Sequence, residues 1–274
     1  MLRVEHLSIH FEDRGIKEEA VKDVSFTLEA GQILGIVGES GSGKTMTALT
    51  IAGLKKANAV LDSGRIWLDD TDLLSLTEKE MRKIQGNDIG MIFQEPMTAL
   101  NPTMKIGRQV EEALVLHTKY RKEERRERVW KALEDVEMKH PGEICEKYPH
   151  ELSGGMRQRV MIAAAVVSRP KLLIADEPTT ALDVGTQEEI LKLLKKLNKK
   201  YGMSILFISH NLRVVKELCS RVVVMKDGEI IESGDAGQAF EHPRMNYTKE
   251  LIAAIPARVQ KNRYYECITG GLQL

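Results

Sequence analysis

The chain has 274 residues, 42% of them apolar and 29% charged, with 40 basic against 40 acidic side chains. That length can bury a substantial core, and the balanced charge leaves no electrostatic footprint for nucleic acid or an anionic surface. Cys145, Cys219 and Cys267 lie too far apart for a disulfide framework or a metal site, and no stretch approaches the roughly 18 apolar residues of a bilayer span. The expectation is a chain in a reducing compartment, with no signal peptide and no membrane span of its own.

Val24-Ser25-Phe26-Thr27-Leu28 alternates apolar and polar side chains, as does Ile66-Trp67-Leu68 further on. That period of two predicts strands of an antiparallel sheet with one face on a core. Ile33–Val37 is a continuous apolar run, the pattern of a strand covered on both faces. It leads into Gly38-Glu39-Ser40-Gly41-Ser42-Gly43-Lys44-Thr45 and then Met46-Thr47-Ala48-Leu49. The order is therefore buried strand, glycine-rich loop, helix start. Glycines let the backbone curl until several N–H groups face one point, and the helix N-terminus adds positive potential there. Lys44 can reach terminal phosphates and the Thr45 hydroxyl can take Mg²⁺. This is a complete phosphate-binding loop, and it implies a nucleoside triphosphate.

From about residue 103 to 165 the periodicity turns helical. Ile106, Val110, Ala113 and Leu114 share one face, and Val129, Leu133 and Val136 another, which predicts a helical subdomain inserted into an α/β core. The charged stretch 119–128 interleaves glutamates with basic residues and reads as a solvated helix face. Leu152-Ser153-Gly154-Gly155-Met156 precedes a helical pattern at 160–167, so a serine hydroxyl and free N–H groups meet at a second helix start.

Leu172-Leu173-Ile174-Ala175-Asp176-Glu177-Pro178 is a buried strand that delivers two carboxylates at its C-terminal end, where ligands of α/β sheets sit. Asp176 is placed to hold Mg²⁺, and Glu177 to orient and deprotonate an attacking water. Ile190, Leu193, Leu194 and Leu197 mark the stripe of a helix, and Ile205-Leu206-Phe207-Ile208 another buried strand. Residues 257–274 are polar and read as a loosely held tail.

These motifs, in this order, resemble the ATP-binding cassette (ABC) family, whose signature is Leu-Ser-Gly-Gly, over about residues 3–256. The resemblance implies an α/β fold: a P-loop NTPase core with an antiparallel β subdomain and an inserted helical subdomain, in a nucleotide-binding domain of residues 1–256. It implies ATP on Gly38, Glu39, Ser40, Gly41, Ser42, Gly43, Lys44, Thr45 and Met46, with Phe11 stacked on adenine. Mg²⁺ would lie at Thr45, Asp176 and Gln94, the last belonging to the family's glutamine loop. Glu177, His210, Gln94 and Lys44 become the catalytic set, His210 as the switch histidine beside the γ-phosphate. Leu152, Ser153, Gly154, Gly155, Met156 and Gln158 become the surface that covers a partner subunit's ATP. Ala181, Leu182 and Asp183 become a loop crossing the dimer interface.

Three stretches resemble one branch of that family, the oligopeptide, dipeptide and nickel importer ATPases. They are Gln94-Glu95-Pro96-Met97-Thr98-Ala99-Leu100-Asn101-Pro102, the run from Ala175 to Asp183, and His242-Pro243 with Tyr247, Thr248 and Leu251. The resemblance implies an ATP-hydrolysing subunit at the cytoplasmic face of the membrane. Its partners would be a second such ATPase, identical or homologous, two permease subunits and an extracytoplasmic binding protein. Its solutes would be peptides or, second, nickel or metal chelates. Longer peptide-importer ATPases add clustered cysteines that hold an iron–sulfur cluster, whereas Cys267 alone offers too few thiolates. An exporter ATPase shares the catalytic motifs and stays open as an alternative. So does a soluble cassette acting on DNA or the ribosome, although the chain shows no sustained heptads. A nucleotide-gated module without turnover is opposed by Glu177 and His210.

Overall fold

Two sheets divide the apolar patterns between them in a computed structural model that describes residues 1–13, 15–94, 99–180 and 182–254. The first is antiparallel. It contains β1 (Leu2–Asp13), β2 (Ile16–Leu28), β4 (Ala59–Leu68) and β5 (Thr71–Asp72), in the order β2-β1-β4-β5. Leu2 pairs with Leu28 on one side and Leu68 on the other, and Val4 with Phe26 and Ile66, so the buried rows line up across the sheet. Strand β2 starts well before the alternating stretch at 24–28. Its first residues, 16–19, are exposed, so no inward-facing row marks them in the sequence.

The second sheet contains β3 (Ile33–Val37), β6 (Ile89–Ile92), β7 (Leu172–Asp176), β8 (Ser204–Ile208), β9 (Arg221–Lys226) and β10 (Glu229–Asp235). Its order is β10-β9-β3-β8-β7-β6, parallel except for the β9–β10 hairpin. Every residue of β3, β7 and β8 is buried. The continuous apolar runs arise because this sheet is covered on both faces. Leu172, Ile174, Leu206 and Ile208 face the antiparallel sheet with Leu7, Val24, Leu28 and Ile66. Leu173, Ala175, Ile205 and Phe207 face the opposite way, into the helices.

The helices are α1 (Lys44–Ile51), α2 (Glu78–Ile84), α3 (Ile106–His117), α4 (Lys122–Asp135), α5 (Pro141–Glu146), α6 (Gly154–Val166), α7 (Val184–Tyr201), α8 (Leu212–Leu218), α9 (Ala236–Glu241) and α10 (Asn246–Ala253). Helices α3 to α6 lie within the crossover between the neighbouring strands β6 and β7. Their inward faces, with Ile106, Val110, Leu114, Val129, Leu133 and Val160, join the core of the parallel sheet. The stretch 119–128 is mostly exposed, but Arg125 turns back to Glu111 at 2.6 Å, and the Arg128 guanidinium lies 4.1 Å from the Tyr120 ring centroid.

Polar contacts fasten this helical body to α7. Arg159 pairs with Glu137 at 3.1 Å and Glu189 at 2.8 Å. Asp135 accepts from Lys200 at 2.5 Å and from the Tyr201 hydroxyl. Burial raises the Asp135 carboxyl, but the Lys200 and Tyr201 hydrogen bonds outweigh it and leave the group below its ordinary range. Among the described residues no helix is long and apolar enough to cross a membrane. Ala181, residues 95–98 of the importer-like segment, and the tail 257–274 with Cys267 lie outside the described residues.

Candidate active site

The expected phosphate loop joins β3 to α1 and is hemmed in on both sides. Gly43 has φ +94°, and a Cβ there would stand 2.5 Å from the Ala20 carbonyl oxygen of β2. At Gly38 an added Cβ would collide with the Met225 carbonyl oxygen of β9. Only glycine fits where the backbone is both left-handed and pressed against other backbone. Glu39, Ser40 and Gly41 are exposed at the loop's crest, whereas Ser42 is buried. Met46 packs into the core beneath it.

Lys44 folds back over this loop. Its Nζ donates to the Gly38 oxygen at 2.8 Å, the Glu39 oxygen at 2.5 Å and Ser42 Oγ at 3.2 Å. Burial lowers its pKa, and the nearby charges of Glu177, Asp176 and Glu39 oppose that shift. An ammonium 5% exposed, whose hydrogen bonds all go to neutral oxygens, fits an anion brought to the loop.

The C-terminal ends of four adjoining strands bring the other groups together. Asp176 closes β7, and its Oδ1 accepts the Thr45 hydroxyl from α1 at 3.2 Å. Burial pushes the Asp176 carboxyl up, against the Thr45 hydrogen bond. A hydroxyl and a carboxylate so placed are the hard oxygen donors that Mg²⁺ takes alongside phosphate.

Glu177 has φ +46°, an uncommon conformation for a residue with a Cβ. Its N–H is tied to the Ile208 carbonyl at 3.0 Å. The turn aims its carboxylate at the ends of the neighbouring strands. Oε2 accepts from Gln94 Nε2 at 3.3 Å, meets His210 Nδ1 at 3.0 Å and accepts from Thr180 Oγ1 at 2.8 Å. Gln94 follows β6 and His210 follows β8, so residues far apart in sequence share one oxygen. The family resemblance places Thr180 only within the interface loop, Thr180-Ala181-Leu182-Asp183, and not on the carboxylate. Its signal was local, a hydroxyl three residues after a strand-end glutamate and inside a turn closed by Thr180 N–H to the Glu177 carbonyl at 3.3 Å.

The expected signature turn stands elsewhere. Ser153 N-caps α6, its Oγ accepting the Met156 N–H at 3.3 Å. Ser153 and Gly154 are exposed, and a Cβ on Gly154 would meet nothing within 4 Å. Gly155 abuts α7, where a Cβ would come 3.1 Å from Thr186 Cγ2. Thr186 is also the residue that Asp183 caps, accepting from its N–H at 3.0 Å and its hydroxyl at 2.7 Å. The turn and the expected interface loop, with Leu182 half-buried between them and the core, are therefore neighbours. Leu152 and Gln158 point inward, Gln158 being 1% exposed with no partner for Nε2 among the described residues. Met156 packs on the core, which leaves Ser153 and Gly154 as the turn's outward residues.

Phe11 lies on β1 opposite Glu18 and Ala59. It is half-buried, with Lys56 Nζ 5.7 Å from its ring centroid. It belongs to the antiparallel sheet and takes no part in the polar cluster around Glu177.

The ABC transporter family model matches residues 21–180. The chain belongs to the ABC transporter family. The oligopeptide transport ATP-binding protein OppD of Bacillus subtilis is 48% identical over 257 residues, 93% of this chain and 72% of that protein. The dipeptide transport ATP-binding protein DppD of Haemophilus influenzae is 44% identical over 270 residues, 98% of this chain and 82% of that one. Among solved structures, the ATP-binding cassette MJ0796, a dimer in a post-hydrolysis state bound to ADP and Pi, superposes with a TM-score of 0.77 at 31% identity. That match covers 86% of this ABC chain and 99% of the cassette. The chain is thus an ABC transporter ATPase.

Proposed function

We propose that this ABC protein is the ATP-hydrolysing subunit of an importer for di- or oligopeptides. The observation that carries the catalytic part is the convergence of Lys44, Thr45, Gln94, Asp176, Glu177 and His210 at adjoining strand ends. The names of the relatives favour peptides over nickel or metal chelates.

ATP would lie on residues 38–46, with adenine against Phe11 and the terminal phosphates drawing Lys44 from its carbonyl partners. Thr45, Asp176 and Gln94 would hold Mg²⁺, which when bound supplies neutralising charge to the phosphates. Glu177 would accept the proton of the attacking water. One carboxylate oxygen is already held by Gln94, Thr180 and His210, so the residue is oriented before the water arrives. His210 would sense the γ-phosphate. A second copy or homologue would lay its Ser153–Gly155 turn over this nucleotide, and losing the γ-phosphate would release it.

A groove of about 630 Å³ between the core and the helical body supports permease docking. Leu54, Phe93 and Leu116 line it, Leu116 being 70% exposed. Such an apolar strip suits a short helix from a membrane partner. The protein would then sit on the cytoplasmic face, with an extracytoplasmic binding protein feeding the permeases.

The test is Glu177→Gln in the assembled complex. ATP binding persists while hydrolysis slows by ~10²–10⁴-fold, the range for a lost general base. Near-normal turnover would overturn the assignment. Stimulation of the wild-type ATPase by peptides, and not by nickel chelates, checks the solute class.

A further inference from the structure

The peptide unit that opens the phosphate loop is held from both of its ends. Its carbonyl, on Gly38, accepts Lys44 Nζ at 2.8 Å. Its N–H, on Glu39, donates to the hydroxyl oxygen of Tyr247 at 3.1 Å, across 208 residues of sequence. Tyr247 lies on α10, beyond the last strand, and is 8% exposed.

The helix is not loosely placed. Glu232 of β10 accepts the N–H groups of Arg244 and Met245 at 3.0 and 3.2 Å, and the Thr248 hydroxyl at 2.5 Å. Lys226 Nζ, at the end of β9, stands 4.8 Å from the Tyr247 ring centroid. The preceding residue, Met225, presses its carbonyl against Gly38. The phenol is thus clamped against one of the two peptides whose carbonyls hold the Lys44 ammonium.

We propose that Tyr247 is a positioning residue for nucleotide binding, a latch by which helix α10 fixes the Gly38–Glu39 peptide. The physical reason is that a peptide has one orientation for both of its polar ends. While the Glu39 N–H stays on the phenol, the Gly38 carbonyl stays turned toward Lys44. The ammonium can then move between carbonyl and phosphate without the loop collapsing onto its own donors. Hydrogen bonds chained through one peptide also polarise each other. Without the phenol the Glu39 N–H must find another acceptor, and the loop loses its starting geometry. This inference rests on residues 38–45 being the phosphate site, and it adds a group from outside every motif of that site.

Tyr247→Phe keeps the ring and its packing and removes only the acceptor. In the full chain, calorimetry with ATP in Mg²⁺-free buffer reads ~3–10-fold weaker binding, the scale of one lost hydrogen bond. The KM for Mg-ATP rises in step, while kcat changes less than about two-fold and the nucleotide-free melting temperature stays put. A merely structural tyrosine would instead lower the melting temperature and leave KM alone. ATP affinity equal to wild type overturns the latch. If the variant fails to fold, amide hydrogen exchange in the wild-type chain decides: a protected Glu39 N–H supports the latch, and fast exchange there overturns it. Lys44→Ala separates the two levels of the inference. Undiminished ATP binding by that variant overturns the phosphate-loop reading and the latch with it, whereas lost binding there beside a neutral Tyr247→Phe overturns the latch alone.

Discussion

The phosphate loop and the signature turn are both glycine turns at the start of a helix, yet the chain treats them in opposite ways. Around the first, a Cβ on Gly38 or Gly43 would strike backbone from β9 or β2, and Lys44 is bonded back onto the loop. Around the second, Ser153 and Gly154 face solvent, and Gly154 has open space where a side chain would go. One turn is finished by its own chain. The other leaves the same kind of surface open, so under the proposed function half of the site faces inward and half would face a partner.

Gly43→Ala attacks the finished turn and has the largest effect. A left-handed φ and the Ala20 oxygen leave the new methyl no room, so stability falls by about 2 kcal/mol or more. Urea denaturation and ATP titration both register the change, and a folded variant with normal affinity would break the contrast. Gly154→Ala makes the opposite split. Stability holds or rises by up to ~1 kcal/mol, because alanine favours the helix and meets no neighbour. Turnover in the assembled complex nevertheless drops about ten-fold or more as the methyl enters the covered nucleotide site. Unchanged turnover would show that the turn covers nothing.

Thr180→Val tests the shared oxygen of Glu177. It removes the shortest of that oxygen's three hydrogen bonds, so kcat falls ~3–10-fold with KM steady.

A separate, pH-dependent test concerns the seat of the helical body that carries the open turn. Asp135 has a lower pKa folded than unfolded, so its contribution is complete above about pH 4 and fades as acid protonates it. Asp135→Asn should cost about 1–3 kcal/mol at pH 7. Melting curves should show that difference shrinking below pH 4, and a difference independent of pH would remove Asp135 from the seat.

Much of this was written locally. The strand β3, its glycine loop and α1 are contiguous, so their pattern exposed them at once. The strand-end carboxylates Asp176 and Glu177 were equally plain, because a continuous apolar run points to where it stops. The long antiparallel strands were harder. The exposed start of β2 shows no inward row to betray it. Strand β9, with Val222, Val223, Val224 and Met225, carries an apolar run as readable as that of β3. The contacts of Thr180 and Tyr247 were invisible for another reason. Each matters through a single hydroxyl whose target is set by the folded backbone, and for Tyr247 that target lies 208 residues away.

Strands β6 and β7 lie side by side, so the helical body leaves and rejoins the sheet at one border. Among the described residues no rung between strands joins that body to the sheet, and side chains packed on the core and tied to α7 hold it in place. Gln94 stands at that border with its amide on Glu177, so under the proposed function a load taken up by the helical body would be felt at the hydrolytic carboxylate. Mechanical load and chemistry would meet at one side chain.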